Sequence, residues 1–227
     1  MRLRMMTLLL VAAGGLLGSD PKEVERVKEA ATVFDEIMGI KERSIPQELL
    51  DRSECVAIVP SLKKAGFGFG AKYGKGVISC RPANGEGWSG PSTIRIEGGS
   101  FGFQIGGTAV DLVMLIMNKR GAEKLLSSKF TLGADLNVAA GPVGRTAEAQ
   151  TDAQMHAEML SYSRSRGLFA GVSLNGATMR QDENDNKVIY GKQVTPKQIL
   201  LEGEKPPASA QVLIDTLSKY SSRRKSS

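Results

Sequence analysis

The sequence runs to 227 residues, 41% hydrophobic and 24% charged, with a net charge of +6. That composition excludes a disordered or collagen-like chain and suffices for one sizeable core. Arg2, Arg4, Arg223, Arg224 and Lys225 supply most of the excess charge, so the body between them is nearly neutral and lacks the clustered basic footprint of a nucleic-acid binder.

Residues 1–18 open with two arginines, continue through a short apolar run and end in small residues. This is the pattern of a signal peptide, or of an uncleaved N-terminal anchor, and the run is short for a membrane span of roughly 20 apolar residues. It predicts a periplasmic or secreted protein. Residues 19–220 read as a single domain and 221–227 as a disordered basic tail.

Over 22–38, Val24, Val27, Ala31, Phe34 and Ile37 recur at helical spacing among charged residues, which predicts an amphipathic helix. Ser44, Pro46 and Gln47 open a short second helix, with Ser44 as its cap and Gln47 at the capping-box position. A strand over 56–59 is expected to stop at Pro60. A glycine-alternating strand over 66–73, a strand over 76–81 and another over 93–97 follow as an antiparallel meander.

Residues 101–118 are rich in β-branched side chains and predict a long bent strand, after which Asn118 caps a helix to about Leu126. Residues 131–138 read as a half-buried strand, and 157–164 with 168–179 as a strand pair. Residues 181–187 read as a loop or helical turn. Thr195 and Pro196 begin a capped helix, and a last helix covers 208–220. The fold class is therefore α+β: a curved, mainly antiparallel, Gly-rich sheet, barrel-like, with an N-terminal amphipathic helix and C-terminal helices.

Four glycine-spaced runs stand out, over 65–76, 98–107, 139–144 and 166–176. Side chains alternate across a strand, so Phe67, Phe69, Ala71 and Tyr73 would share one face while Gly66, Gly68 and Gly70 leave the other bare. A bare face admits another backbone, a side chain or a ligand against the peptide plane.

The familiar catalytic and cofactor patterns fail in turn. Between Gly70 and Lys75 the P-loop spacing is one residue short, and Gly76 stands where magnesium needs Ser or Thr. Around Ser173 the nucleophile-elbow spacing is one residue too long. His156 is the only histidine, near Asp152 but with no nucleophile beside it, and zinc lacks a ligand set. The acidic stretch 182–186 has Lys187 and Gln193 where an EF-hand needs Gly and Glu. No catalytic residue, metal or cofactor is assigned; were the chain an enzyme, Asp111, Asp152 and His156 would be the first participants to test. Cys55 and Cys80, the only cysteines, lie in apolar strand-like runs where a free cysteine serves as a small hydrophobe. Their pairing stays open, with the free form favoured.

The most usable interaction feature is basic: Lys63, Lys64, Lys72, Lys75 and Arg81 crowd toward the turns of the expected meander, where they would hold anionic head groups. The acidic residues of 22–38 argue against strong attraction of that helix to anionic lipid.

The ordered set Cys55-Val-Ala-Ile-Val-Pro, Lys64-Ala-Gly-Phe-Gly-Phe-Gly, Trp88-Ser-Gly-Pro-Ser, Gly106-Gly-Thr-Ala-Val-Asp-Leu-Val, Ala140-Gly-Pro-Val-Gly-Arg and Ser165-Arg-Gly-Leu-Phe-Ala-Gly-Val-Ser-Leu resembles the SYLF domain family over about residues 25–204. The resemblance implies a non-catalytic lipid-binding domain, with phosphoinositide and actin binding among eukaryotic members and lipid contact through an N-terminal amphipathic segment, here 22–38, and basic residues. With an export signal in front, actin is not an expected partner. Anionic phospholipid of a bacterial envelope membrane is the expected ligand. The alternative is a structural or protein-interaction module, receiving a partner chain or a second copy on the glycine-bared sheet face.

Overall fold

The computed structural model describes residues 20–40, 44–67, 69–84, 86–101, 106–127, 129–144, 154, 156–165, 168–172 and 174–222. The expected leader over 1–18 and residues 223–227 of the expected tail lie outside them.

The helix α1 (Lys22–Gly39) and the short α2 (Gln47–Arg52) precede four long strands: β1 (Cys55–Phe67), β2 (Phe69–Cys80), β3 (Ser92–Phe101) and β4 (Gly106–Ile116). Then come α3 (Lys119–Leu125), β5 (Lys129–Thr131), β6 (Val138–Ala140), β7 (Met159–Ser165), β8 (Leu168–Gly171), β9 (Thr178–Gln181), α4 (Glu183–Tyr190), α5 (Pro196–Leu200), a 3-10 turn (Ala208–Ala210) and α6 (Gln211–Tyr220). One sheet curls into a half-barrel in the order β5-β9-β3-β2-β1-β4-β7-β6, with β8 also paired to β7. Its described pairings are antiparallel except β6 with β7. The architecture is the expected α+β.

At its base the sheet is buried on both faces. Val56, Ile58, Val77, Val113 and Leu115 pack against α1, α2 and α6, where Phe34, Ile37, Leu50 and Leu217 are fully or almost fully buried. Cys55, Ala57, Val59, Ile78, Leu112 and Met114 face the inside of the curl and meet Phe130, Met179, Ile199 and Leu200. Strands covered on both sides read as continuous apolar runs rather than alternating ones.

Several expectations change. Pro60 does not end β1: the strand runs through it, with a register shift against both neighbours between Val59 and Leu62. A bulge accommodates a residue without an N–H, and Ser61, at φ 52°, donates its backbone N–H to Asp111 Oδ1 at 3.0 Å. The strand expected over 66–73 is instead folded back on itself. Gly66 pairs with Gly70 and Phe67 with Phe69, so the glycine run forms the end of the β1–β2 hairpin.

Residues 101–118 divide between the end of β3 and β4, and 131–138 hold only short strand segments around a turn. Of the two forms expected for 181–187, loop or helical turn, the helical one is found, as the start of α4. The α2 N-terminus carries no side-chain cap, because Gln47 reaches instead to Asp51 and the Tyr220 carbonyl. Ser221, assigned to the tail, is buried in the fold.

Cys55 and Cys80 are direct register partners and form a disulfide. The apolar surroundings that favoured free thiols are real, and the antiparallel register adds the proximity that sequence alone does not supply.

Candidate functional site

Beyond the bulge, the four central strands leave the packed base and project as a ribbon. Its register aligns residues in rows across β3, β2, β1 and β4: Glu97, Tyr73, Lys63, Ala109; then Gly98, Lys72, Lys64, Thr108; then Gly99, Ala71, Ala65, Gly107. Successive rows point to opposite faces. Lys64 and Lys72 therefore stand side by side on the inner, concave face, whereas Lys63 is exposed on the helix-bearing face beside Tyr73, itself 47% exposed.

Two ammonium groups on directly opposed residues repel each other. Partial burial, followed by the charge of Lys72, holds the Lys64 pKa below the usual lysine value. Among the described residues no carboxylate lies within ion-pair distance of Lys63, Lys64 or Lys72.

The other two expected basic residues serve the fold itself. Lys75 lies at 2.9 Å from both Asp182 and Asp185, and Arg26 of α1 reaches Asp185 at 2.8 Å. Burial alone would lower the Lys75 pKa, but the hydrogen bonds that Lys75 donates to Asp182 and Asp185 outweigh it and raise the value. Arg81 is 4% exposed, lies 4.0 Å from the Trp88 ring centroid, and donates to the Ser53 carbonyl and to Ser221 Oγ. The structure thus gathers Lys63, Lys64 and Lys72 on the ribbon and separates Lys75 and Arg81 from them. Their acceptors lie far along the chain, and the acidic stretch 182–186 was the only signal for the Lys75 partners.

The amphipathic helix turns its apolar face to the sheet: Val24, Val27, Ala31, Phe34 and Ile37 are buried. It is pinned through Glu36 to Arg164, which also grips Asp111 at 2.7 Å. Asp111 consequently holds the bulge and a helix anchor rather than standing in a reactive pocket. His156 is exposed at the rim of a hollow of about 310 Å³ with Asn137 and Asn175. Asp152 lies outside the described residues, among which no three His, Cys, Asp or Glu side chains converge on a metal position. Nor is any helix among them long and apolar enough to cross a membrane.

The surroundings of Gly66, Gly68 and Gly70, expected to bare one face, lie outside the description; Gly76 continues that face into the base, while Gly107 belongs to the other face of the ribbon, in one row with Ala65 and Ala71. A Cβ on Gly107 would meet nothing within 4 Å, whereas one on Gly76 would lie 2.2 Å from the Ile58 carbonyl oxygen.

Residues 97–220 match the model of the family described as "Ysc84: Las17-binding protein actin regulator". LAS seventeen-binding protein 3 of Saccharomyces cerevisiae is 36% identical over 205 residues, which are 88% of this chain and 44% of that protein. The human SH3 domain-containing YSC84-like protein 1 is 34% identical over 202 residues, 86% of this chain and 58% of that protein. The chain spans about half the length of these curated relatives.

Proposed function

This chain belongs to the Ysc84 family, the SYLF domain proteins, and on that premise we propose that it is a non-catalytic module binding anionic phospholipid head groups through Lys63, Lys64 and Lys72. The observation that carries the reading is the adjacent Lys64–Lys72 pair, without a carboxylate partner among the described residues. Each lysine near an anionic membrane contributes about 1 kcal/mol, so the Lys64–Lys72 pair, with Lys63 on the other face of the same ribbon, gives reversible, salt-sensitive attachment. An incoming phosphate also relieves the repulsion between Lys64 and Lys72.

The compartment proposed is the envelope of a bacterial cell, periplasmic or secreted and membrane-associated, reached through residues 1–18. The Cys55–Cys80 disulfide supports it, since such bonds persist in oxidising compartments. Las17 and actin stand in the description of the family, and Las17 also in the name of the yeast relative; a chain exported in this way meets neither. Sequencing the N-terminus of the mature protein from its host tests the compartment.

Flotation with vesicles of phosphatidylcholine, with and without phosphatidylglycerol, tests the binding. Recovery is expected with anionic vesicles, to fall at high salt, and to fall several-fold in Lys64→Gln/Lys72→Gln. Equal recovery on neutral vesicles, or no effect of the double substitution, rejects the site. A second reading, a protein-interaction module, draws on the open face at Gly99 and Gly107. Light scattering that finds a strict monomer, with no crosslinked partner, counts against it.

A further inference from the structure

A second cationic array lies on the other face of the sheet. Lys129 pairs with Arg180, Arg180 with Arg95, and Arg95 with Lys75, so four basic residues stand in one row across β5, β9, β3 and β2. Directly opposed residues share a face, and an odd-numbered offset along β2 separates Lys75 from Lys72, which places this row opposite the Lys64–Lys72 pair. At about 4.8 Å per strand the row is roughly 14 Å long.

Its compensation is uneven. Lys75 is neutralised by Asp182 and Asp185, the latter shared with Arg26. Arg95 and Arg180 have Glu97 between them, its oxygens 3.1 and 3.5 Å from their buried Nε atoms, an ion pairing in which neither Nε–H makes a well-aligned hydrogen bond. Lys129 is exposed and has no carboxylate partner among the described residues. Like charges placed opposite each other on adjacent strands destabilise a sheet, and one carboxylate divided between two guanidinium groups leaves their forks underused.

The row meets a recess at Arg95. Arg95 and Arg180 are each 35% exposed, and Arg95 opens into a polar cleft of about 490 Å³ between the starts of α4 and α5, with Asn184, Thr195 and Lys197 on its walls. Asp182 in that cleft is already held by Lys75, and Glu183 is exposed. A planar bilayer does not reach the floor of such a recess; an extended chain does. Along an extended peptide, same-face side chains recur about every 6.7 Å, within reach of flexible Arg and Lys side chains spaced one strand apart.

We infer that the Lys129–Arg180–Arg95 row docks an extended acidic segment of a partner protein, its carboxylates taking the guanidinium forks that Glu97 leaves unfilled. The site is independent of the lipid-binding reading, because it lies on the face opposite the Lys64–Lys72 pair and uses none of the ribbon lysines.

The test is fluorescence anisotropy of a labelled eight-residue peptide alternating glutamate and threonine, against a lysine–threonine control. Saturable binding to the oxidised protein is expected for the acidic peptide alone. Arg95→Gln/Arg180→Gln should weaken it about tenfold and Lys129→Gln about threefold. Arg95→Lys/Arg180→Lys, which keeps the charge but loses the fork, should fall between wild type and the glutamine variant. Glu97→Gln removes the internal competitor and should tighten binding, a gain that misfolding does not produce. Lys64→Gln/Lys72→Gln should leave peptide binding unchanged while lowering vesicle recovery, which separates failure of one site from failure of the other. The inference is overturned if the acidic peptide does not saturate, if binding ignores Arg95, Arg180 and Glu97, if inorganic phosphate binds as tightly as the peptide, or if the row proves to govern vesicle recovery instead.

Discussion

The base of the sheet and the ribbon that grows from it are built from the same four strands, yet they use small residues and lysines in opposite ways. In the base, Gly76 exists because the β1 backbone crosses where a side chain would go, and Lys75 exists to close an ion-pair network between β2, α1 and α4. In the ribbon, Gly107 faces open space, and Lys64 is set beside Lys72 without a described counter-charge. Residue type alone does not separate structural from interactive positions; the neighbour across the strand does.

The largest effect expected from breaking this contrast is at Gly76. Gly76→Val should cost about 4 kcal/mol because a backbone carbonyl cannot move aside, whereas Gly107→Ala should stay within about 0.5 kcal/mol; urea denaturation of the two variants measures both. Reducing Cys55–Cys80, which ties the bases of β1 and β2 across 25 residues of sequence, should cost about 3 kcal/mol in the same assay.

Asp111→Ala removes the acceptor for Ser61 and a partner of Arg164 at the junction of the two regions, and should cost about 2 kcal/mol. Lys72→Gln should stabilise the protein by about 0.5 kcal/mol while weakening vesicle binding, the signature of a residue kept for contact rather than folding.

The two lysine environments also titrate in opposite senses. The raised Lys75 pKa contributes stability fully present below the ordinary lysine value and lost as pH climbs through the folded value. The depressed Lys64 pKa does the reverse, with stability gained as pH rises through its folded value. Denaturation profiles around pH 10 in Lys75→Gln and Lys64→Gln should therefore change slope in opposite directions.

Much of the local structure was legible. The 3.6-residue spacing of Val24, Val27, Ala31, Phe34 and Ile37 marked α1 and its buried face, and the Thr195–Pro196 pair and the Asn118 cap mark real helix starts. What escaped was long-range register. Pro60 looked like a strand end because a bulge depends on both neighbouring strands. The run 66–73 looked like one strand because alternation persists on either side of a tight hairpin. Register also decided the site: Lys64 and Lys72 are eight residues apart and become neighbours, while Arg81, equally basic in sequence, is drawn under Trp88 by acceptors from residues 53 and 221. The row formed by Lys75, Arg95, Arg180 and Lys129 had no sequence signal, since its members come from four separate segments.

The way Arg81 is satisfied carries a consequence for synthesis. Its guanidinium, together with the Trp88 indole and the Asp51 carboxylate, waits for Ser221, which leaves the ribosome some 140 residues after Arg81. A chain broken off before that serine would lose the carbonyl that accepts from the Trp88 indole and one of several acceptors around Arg81, so the final turn beyond α6 works as a latch.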